Sequence, residues 1–292
     1  MLALIDADIV GFRCASSKVE EGGVRLPAPW GIIRARCDEM LHGILAATGA
    51  DECKLWLSGD RNFRYDLYPE YKANRKAPRP PHLEDLKEYL VVEWGARVAD
   101  GIEADDAIGI DASDNTVICS IDKDLRQIPG RHFNFVKGVL DVVSPQEGLL
   151  SFYRSCLIGD SSDNIPGVAG IGVVKASRCL PDEIDERTMF DRVRESFADD
   201  RQFLLVGDLL YIQRAPRDSW SKRVTEKGWI SPDQSGLEAA AVSANSGSGS
   251  MNESSDSMKG LMTSLKTAQC DGILTSGTPT EVLSKANSDL PT

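Results

Sequence analysis

Short apolar runs of strand length recur through the first half of the chain, and acidic residues sit at or just beyond their ends. Residues 2–6 (LALID), 53–58 (CKLWLS), 116–121 (TVICSI) and 132–136 (HFNFV) read as buried strands. Between them the spacing predicts helices. Residues 30–48 place Ile33, Cys37, Met40, Leu41, Ile44 and Leu45 on one face, and Leu83 to Trp94 repeats the pattern more weakly. Strands alternating with helices imply a mostly parallel sheet. From about residue 145 the chain turns helical, broken by GVAGIGVVKA at 167–176, and beyond 236 it shifts to Ser, Gly, Thr and Ala. The expected organisation is therefore an α/β core over 1–144, a helical lobe over 145–236 and a low-complexity, disordered tail over 237–292.

The acids are the chemical signal. Asp6; Asp60; Glu103, Asp105 and Asp106; Asp122 and Asp124; and Asp160 and Asp163 form five clusters in chain order. Open parallel sheets gather working residues at the carboxyl ends of their strands. Two like charges ~4 Å apart at an effective dielectric of ~20 repel by about 4 kcal/mol, a large share of a total stability of roughly 5–15 kcal/mol. Converged carboxylates therefore need cations. Helix capping is the competing explanation for any one of them, and for Asp160 with Asp163 or Asp122 with Asp124 it weighs about equally.

Composition narrows the metal and the compartment. The seven cysteines contain no CxxC pair, and His42, His82 and His132 lie far apart, which disfavours zinc and leaves magnesium or manganese for an all-oxygen site. No apolar stretch is long enough to span a bilayer and the opening LALID lacks a basic leader, so a cytosolic chain is expected. The net charge of −12 argues at first sight against nucleic acid, but much of it is the clustered acids themselves.

A cationic segment accompanies the acids. Within residues 58–76 (SGDRNFRYDLYPEYKANRK), Lys72, Arg75 and Lys76 share one face if the segment is helical, beside Tyr71, and PRPP at 78–81 breaks it. Such a face can hold a phosphate that the carboxylates would repel. Gly170 and Gly172 open a turn before a helix, where backbone amides can approach phosphate oxygens, though the same glycines suit a tight interhelical turn.

Taken in order, LIDAD, FRYDLYPEYKANR, GIEADD, SIDKDL and GDSSDNIPGVAGIG resemble the 5′ nuclease family of flap endonucleases, polymerase-associated 5′ exonuclease domains and stand-alone phage exonucleases. The resemblance covers roughly residues 2–180. It implies a PIN-like parallel-sheet core, a helical arch at about 71–95 and a C-terminal helix-three-turn-helix lobe. It puts all nine acids at metal positions, Lys72 and Arg75 at the scissile phosphate with Asp122 in the catalytic set, Tyr71 on a base, and Arg64, Lys76, Gly170, Gly172 and Lys175 at DNA. It also implies two or more Mg2+ ions with Mn2+ as substitute, and K+ at the helix-three-turn-helix element. The family pattern would put lysine at 174, where this chain has Val174 followed by Lys175.

The implied activity is 5′-to-3′ exonuclease and flap endonuclease cleavage of DNA during replication, recombination or primer removal. Its substrates would be 5′ ends, flaps, nicked duplex and RNA–DNA hybrid, cut by a monomer in a bacterial cytoplasm, with phage-like motif details. Two rivals remain at this stage. A haloacid-dehalogenase-like phosphatase is imitated by the DAD at 6–8 followed by GDSSD, and a branched-DNA binding module could keep the fold without cutting.

Overall fold

The computed structural model describes residues 1–231. The chain opens with β1 (Leu2–Asp6) and α1 (Ala7–Ala15), a hairpin of β2 (Lys18–Glu21) and β3 (Val24–Pro27), then α2 (Trp30–Thr48), β4 (Glu52–Asn62), α3 (Phe63–Leu67), α4 (Leu83–Trp94), β5 (Arg97–Gly101), α5 (Ala104–Asp111), β6 (Thr116–Cys119), a 3-10 turn (Asp124–Gln127), β7 (Gly130–Asn134) and β8 (Val139–Val143). Six of these strands form one sheet in the order β5-β4-β1-β6-β7-β8, parallel except for the β7/β8 pair. The chain leaves β1 on one side for β4 and β5 and returns on the other for β6. That reversal is the switch point at which open sheets of this kind form a crevice.

Side-chain alternation splits the core. On β1, Ala3 and Ile5 join one apolar cluster and Leu4 the other; on β6, Val117 and Cys119 part from Ile118 in the same way. The larger cluster takes Ile33, Cys37, Leu41 and Ile44 from α2, at helical spacing, with Val10 from α1 and Leu83, Leu86 and Leu90 from α4. The smaller is closed by Ile108 of α5 and by Leu125, Ile128 and Ile212.

The helical lobe contains α6 (Pro145–Ile158), the paired segments β9 (Gly159–Asp160) and β10 (Ile165–Pro166), α7 (Val173–Cys179), α8 (Glu186–Glu195), α9 (Asp200–Leu210) and α10 (Trp220–Glu226). Ser144, Pro145 and Glu147 start α6 with a complete capping box. Phe152, Tyr153, Phe190, Phe203 and Trp220 pack its core. A Cβ at Gly159 would lie 2.2 Å from the Gly167 nitrogen, so this crossing admits only glycine.

The stretch expected to arch is divided. Its second half, α4, packs on α1 and belongs to the core, while residues 68–82 contain turns and no helix. Lys72, Arg75 and Lys76 therefore do not share a helix face. Instead the segment is tied to the turn that follows α6: Lys72 donates its amide to the Asp163 carbonyl (2.9 Å), Asn164 donates to the Glu70 carbonyl (2.8 Å), and Asn74 donates to the Ser161 carbonyl. The tail over 237–292 lies outside the described residues.

Candidate active site

Three parallel strands deliver acids to one end of the sheet. Asp6 closes β1, 2% exposed, and accepts hydrogen bonds from the Ile9 amide (3.1 Å) and the Ser120 hydroxyl (2.8 Å). Just past β6, Asp122 takes the Asp124 amide (2.8 Å) and gives its own to the Ser120 oxygen (3.0 Å). Beyond β5, Glu103 is the N-cap of α5 and Asp105 stands in its first turn. The Asp105 side chain makes no hydrogen bond among the described residues.

These acids feel one another. Burial, and then repulsion from Asp6, Asp122, Glu103 and Asp106, holds the Asp105 carboxyl well above the usual range. Burial pushes Asp6 up to about 7 against the opposing Ser120 and Ile9 hydrogen bonds, with Asp8 and Asp122 adding repulsion. Burial and then Asp122 push Asp124 up to about 7. Asp160 behaves oppositely: burial raises it, but the Ser162 hydroxyl and amide and Lys123 outweigh that and hold it below the usual range. The charge and hardness of this oxygen set fit divalent magnesium or manganese. Among the described residues no three of the acids stand close enough to grip a single ion, so the pool is an open field of charge whose side chains would have to turn inward to close on one.

Cations already lean on the rim of the pool. Lys72 contacts Glu103 and lies 3.7 Å from Asp163, and Arg75 pairs with Asp163. Lys72 has a φ of 57°, a left-handed conformation that a non-glycine residue adopts at a cost and that clusters at functional sites. Lys123 reaches Asp160 at 3.4 Å and Asp124 at 3.8 Å.

Several expected roles change. Arg64 is 3% exposed and does not reach a DNA surface; its guanidinium clasps Asp106 at 2.6 and 2.9 Å and donates to the Leu209 and Tyr211 carbonyls. Asp106 is fully buried with every oxygen engaged. Tyr71 is 3% exposed, its hydroxyl donating to Glu103 (2.9 Å) and Asp163 (3.0 Å), so its ring cannot receive a base. Asp60 overshoots the pool. Asp6 is level with Trp56 on β4, and Asp60 lies further along, exposed within the bulge between Ser58 and Asn62. Lys76, Gly170, Gly172 and Lys175 are exposed on the surface, with Lys175 over Gly170.

Sequence reasoning passed over four residues. Ser120 braces Asp6 and Asp122, and Ser58 accepts the Ala104 amide at the start of α5 (2.9 Å). Asp8 accepts the Ser58 amide (2.8 Å) and pairs with Lys87 (3.2 Å). Lys123 lies inside the SIDKDL motif, which was the available signal for it.

Residues 2–150 match the model of the 5′-3′ exonuclease, N-terminal resolvase-like domain. The chain belongs to that family. Among curated relatives, DNA polymerase I of Rhizobium leguminosarum is 34% identical over 160 residues, 46% of this chain and 15% of that protein. The 5′-3′ exonuclease of Bacillus subtilis is 32% identical over 173 residues, 49% of this chain and 54% of its own length. Flap endonuclease Xni of Shewanella baltica is 32% identical over 146 residues, covering 43% and 55%. The chain thus spans about half the length of the stand-alone relatives and far less of the polymerase. Among solved structures, a bacteriophage T5 protein co-crystallised with metal ions superposes with a TM-score of 0.51 at 15% identity, over 78% of this chain and 94% of that one. The bacteriophage T5 flap endonuclease in a pseudo-enzyme–product complex with DNA and metal ions gives 0.50 at 17%, over 82% and 99%. At these identities the likeness establishes a shared fold.

Proposed function

We propose that this family member hydrolyses phosphodiesters near the 5′ ends of DNA, as a 5′-to-3′ exonuclease with flap endonuclease activity. The observation that carries the reading is Asp105, an acid whose carboxyl forms no hydrogen bond among the described residues and is opposed by four neighbouring carboxylates. Uncompensated, half-buried charge at the switch point of a sheet is the mark of a site built for an external cation. The names of the relatives and of the phage structures point the same way.

Asp6, Asp105, Asp122 and Asp124 would hold divalent ions, with Glu103, Asp160 and Asp163 at the rim. When bound, two such ions supply a water of lowered pKa and neutralise charge on the departing oxygen. Lys72 and Arg75, now on Glu103 and Asp163, would turn to the scissile phosphate and stabilise its developing charge. Mg2+ is the expected ion, with Mn2+ as substitute. The turn between α6 and α7 is where K+ and the duplex backbone would sit. Flaps, nicked duplex and the RNA strand of a hybrid are the substrates to try with this protein, which we place as a monomer in a bacterial cytoplasm. A phosphatase using Asp6 as nucleophile is disfavoured, because that carboxyl is buried and already holds the Ile9 amide and the Ser120 hydroxyl.

The test is cleavage of a 5′-flapped duplex labelled separately at each end, with Mg2+ and with EDTA. Short 5′ products appearing only with the metal support the reading, and their lengths separate stepwise trimming from flap cutting. Tight structure-selective binding without cleavage would instead make this chain a branched-DNA binding module.

A further inference from the structure

We propose that Arg64 and Asp106 are positioning residues, a buried latch through which the seating of the helical lobe sets the first turn of α5, and that Asp106 is not a ligand of the metal ions. The inference rests on the phosphodiester cleavage proposed above and assigns within it a role opposite to the one motif order suggests for both residues.

An ionised carboxylate offers about four acceptor positions. In Asp106 all are filled: Oδ1 accepts from Arg64 Nη2 (2.9 Å) and the Gln213 amide (3.0 Å), and Oδ2 accepts from Arg64 Nη1 (2.6 Å) and the Glu103 amide (3.1 Å). Nothing is left for an ion unless the latch opens. The Asp105 carboxyl, one residue earlier, accepts nothing among the described residues and faces the other acids. The two neighbours have therefore divided the work, one holding the helix and one holding charge.

The latch joins parts of the chain far apart in sequence. Arg64 lies just past β4, Asp106 and the Glu103 amide open α5, and the Leu209 and Tyr211 carbonyls that accept from Arg64 Nε (2.8 Å) and Nη2 (2.9 Å) close α9 in the helical lobe. Carbonyls at a helix C-terminus have no partner within the helix, and here the guanidinium supplies one. Gln127 adds a parallel bond to the Leu210 carbonyl (2.8 Å). Only a planar fork of donors can serve a carboxylate in bidentate fashion and two carbonyls together, so lysine cannot replace Arg64. Movement of α9 would thus be passed to Glu103 and Asp105, where a displacement of ~1 Å is enough to cost roughly 100-fold in rate.

The experiment uses the full chain and compares the parent with R64K and with the apolar pair R64M/D106L, since replacing both partners of a buried ion pair preserves stability far better than removing one. Three readouts are taken: Tm, the number of Mn2+ ions bound without DNA, and the single-turnover cleavage rate with saturating flap substrate and metal. The paired variant is expected to melt lower than the parent, because the Gln213 and Glu103 amides and the Leu209 and Tyr211 carbonyls lose these partners, to bind the same number of Mn2+ ions, and to cleave about 100-fold more slowly. R64K is expected to keep the Mn2+ count and lose rate by a similar factor. Loss of a bound Mn2+ in R64M/D106L would make Asp106 a ligand, and loss in R64K, which keeps Asp106, would make the pair a support of the metal site itself; either result overturns the proposal. Parental rate in a folded variant would reduce the latch to a structural pair and overturn it equally. If R64M/D106L does not fold, R64K decides by the same two criteria. A parent that binds Mn2+ but never cleaves would sink the proposed activity, while the Mn2+ count would still decide whether Asp106 is a ligand.

Discussion

The sheet end and the helical lobe both bury carboxylates, and they treat them differently. In the lobe, Asp208 on α9 is 4% exposed but receives the Ser221 amide at 2.8 Å, inside a core of aromatic side chains that fixes its surroundings. At the sheet end, the Asp105 carboxyl receives no hydrogen bond among the described residues and is repelled by Asp6 and Asp122. A fold selected only for stability would not leave an acid so placed. The contrast separates an acid that is part of the structure from one that waits for a partner from outside.

The strongest way to break that contrast is Asp105→Asn. Cleavage at saturating Mg2+ should fall by about 1,000-fold or more, on the order of 4 kcal/mol of transition-state stabilisation, while the metal-free protein should melt at higher temperature because a repulsive charge has gone. Single-turnover rates and calorimetry measure the two. A variant that loses activity and stability together would mean that Asp105 is structural after all.

Asp208→Asn sharpens the other side. Burial, against the Ser221 and Trp220 hydrogen bonds, pushes Asp208 up to about 6 from an ordinary 3.8. The folded state therefore holds this proton more tightly than the unfolded state, and its contribution, complete below about pH 4, is lost as pH rises through about 6, a change of about 3 kcal/mol. Asparagine can keep the bond to the Ser221 amide and does not ionise. Denaturant titrations should show the variant more stable than the parent by up to about 3 kcal/mol at pH 8 and nearly equal to it at pH 4. A gain independent of pH would count against Asp208 as its source.

Packing in the lobe gives a third measurement. A Cβ at Gly207 would lie 2.1 Å from the Trp220 ring, so Gly207→Ala should cost about 1–3 kcal/mol in chemical denaturation, from overpacking alone. Its effect on metal binding at the sheet end should be small.

The α/β class, β1, the core face of α2 and the gathering of acids at strand ends were legible, because each follows from local periodicity. β5 and the β2/β3 hairpin were not, since their residues are largely exposed and lack apolar alternation. Residues 72–76 misled for a different reason. Their i, i+3, i+4 spacing suits a helix, but bonds to residues 161–164, nearly ninety positions away, hold them as turns. Local pattern also could not tell Asp106 from Asp105, because the partner that decides it, Arg64, arrives from another strand end.

Asp60 gives the smallest expected effect and the finest test of the comparison. Motif order groups it with the ligands, but it lies exposed beyond the residue level with Asp6, on a bulged strand where a Cβ at Gly59 would lie 2.5 Å from the Ala99 carbonyl oxygen. Asp60→Asn should therefore change single-turnover cleavage by less than about 3-fold, under 1 kcal/mol, with the Mn2+ count unaltered. A loss approaching that of Asp105→Asn would require the end of β4 to fold back over the pool when metal and DNA bind. The β4 bulge would then be a moving part of the site.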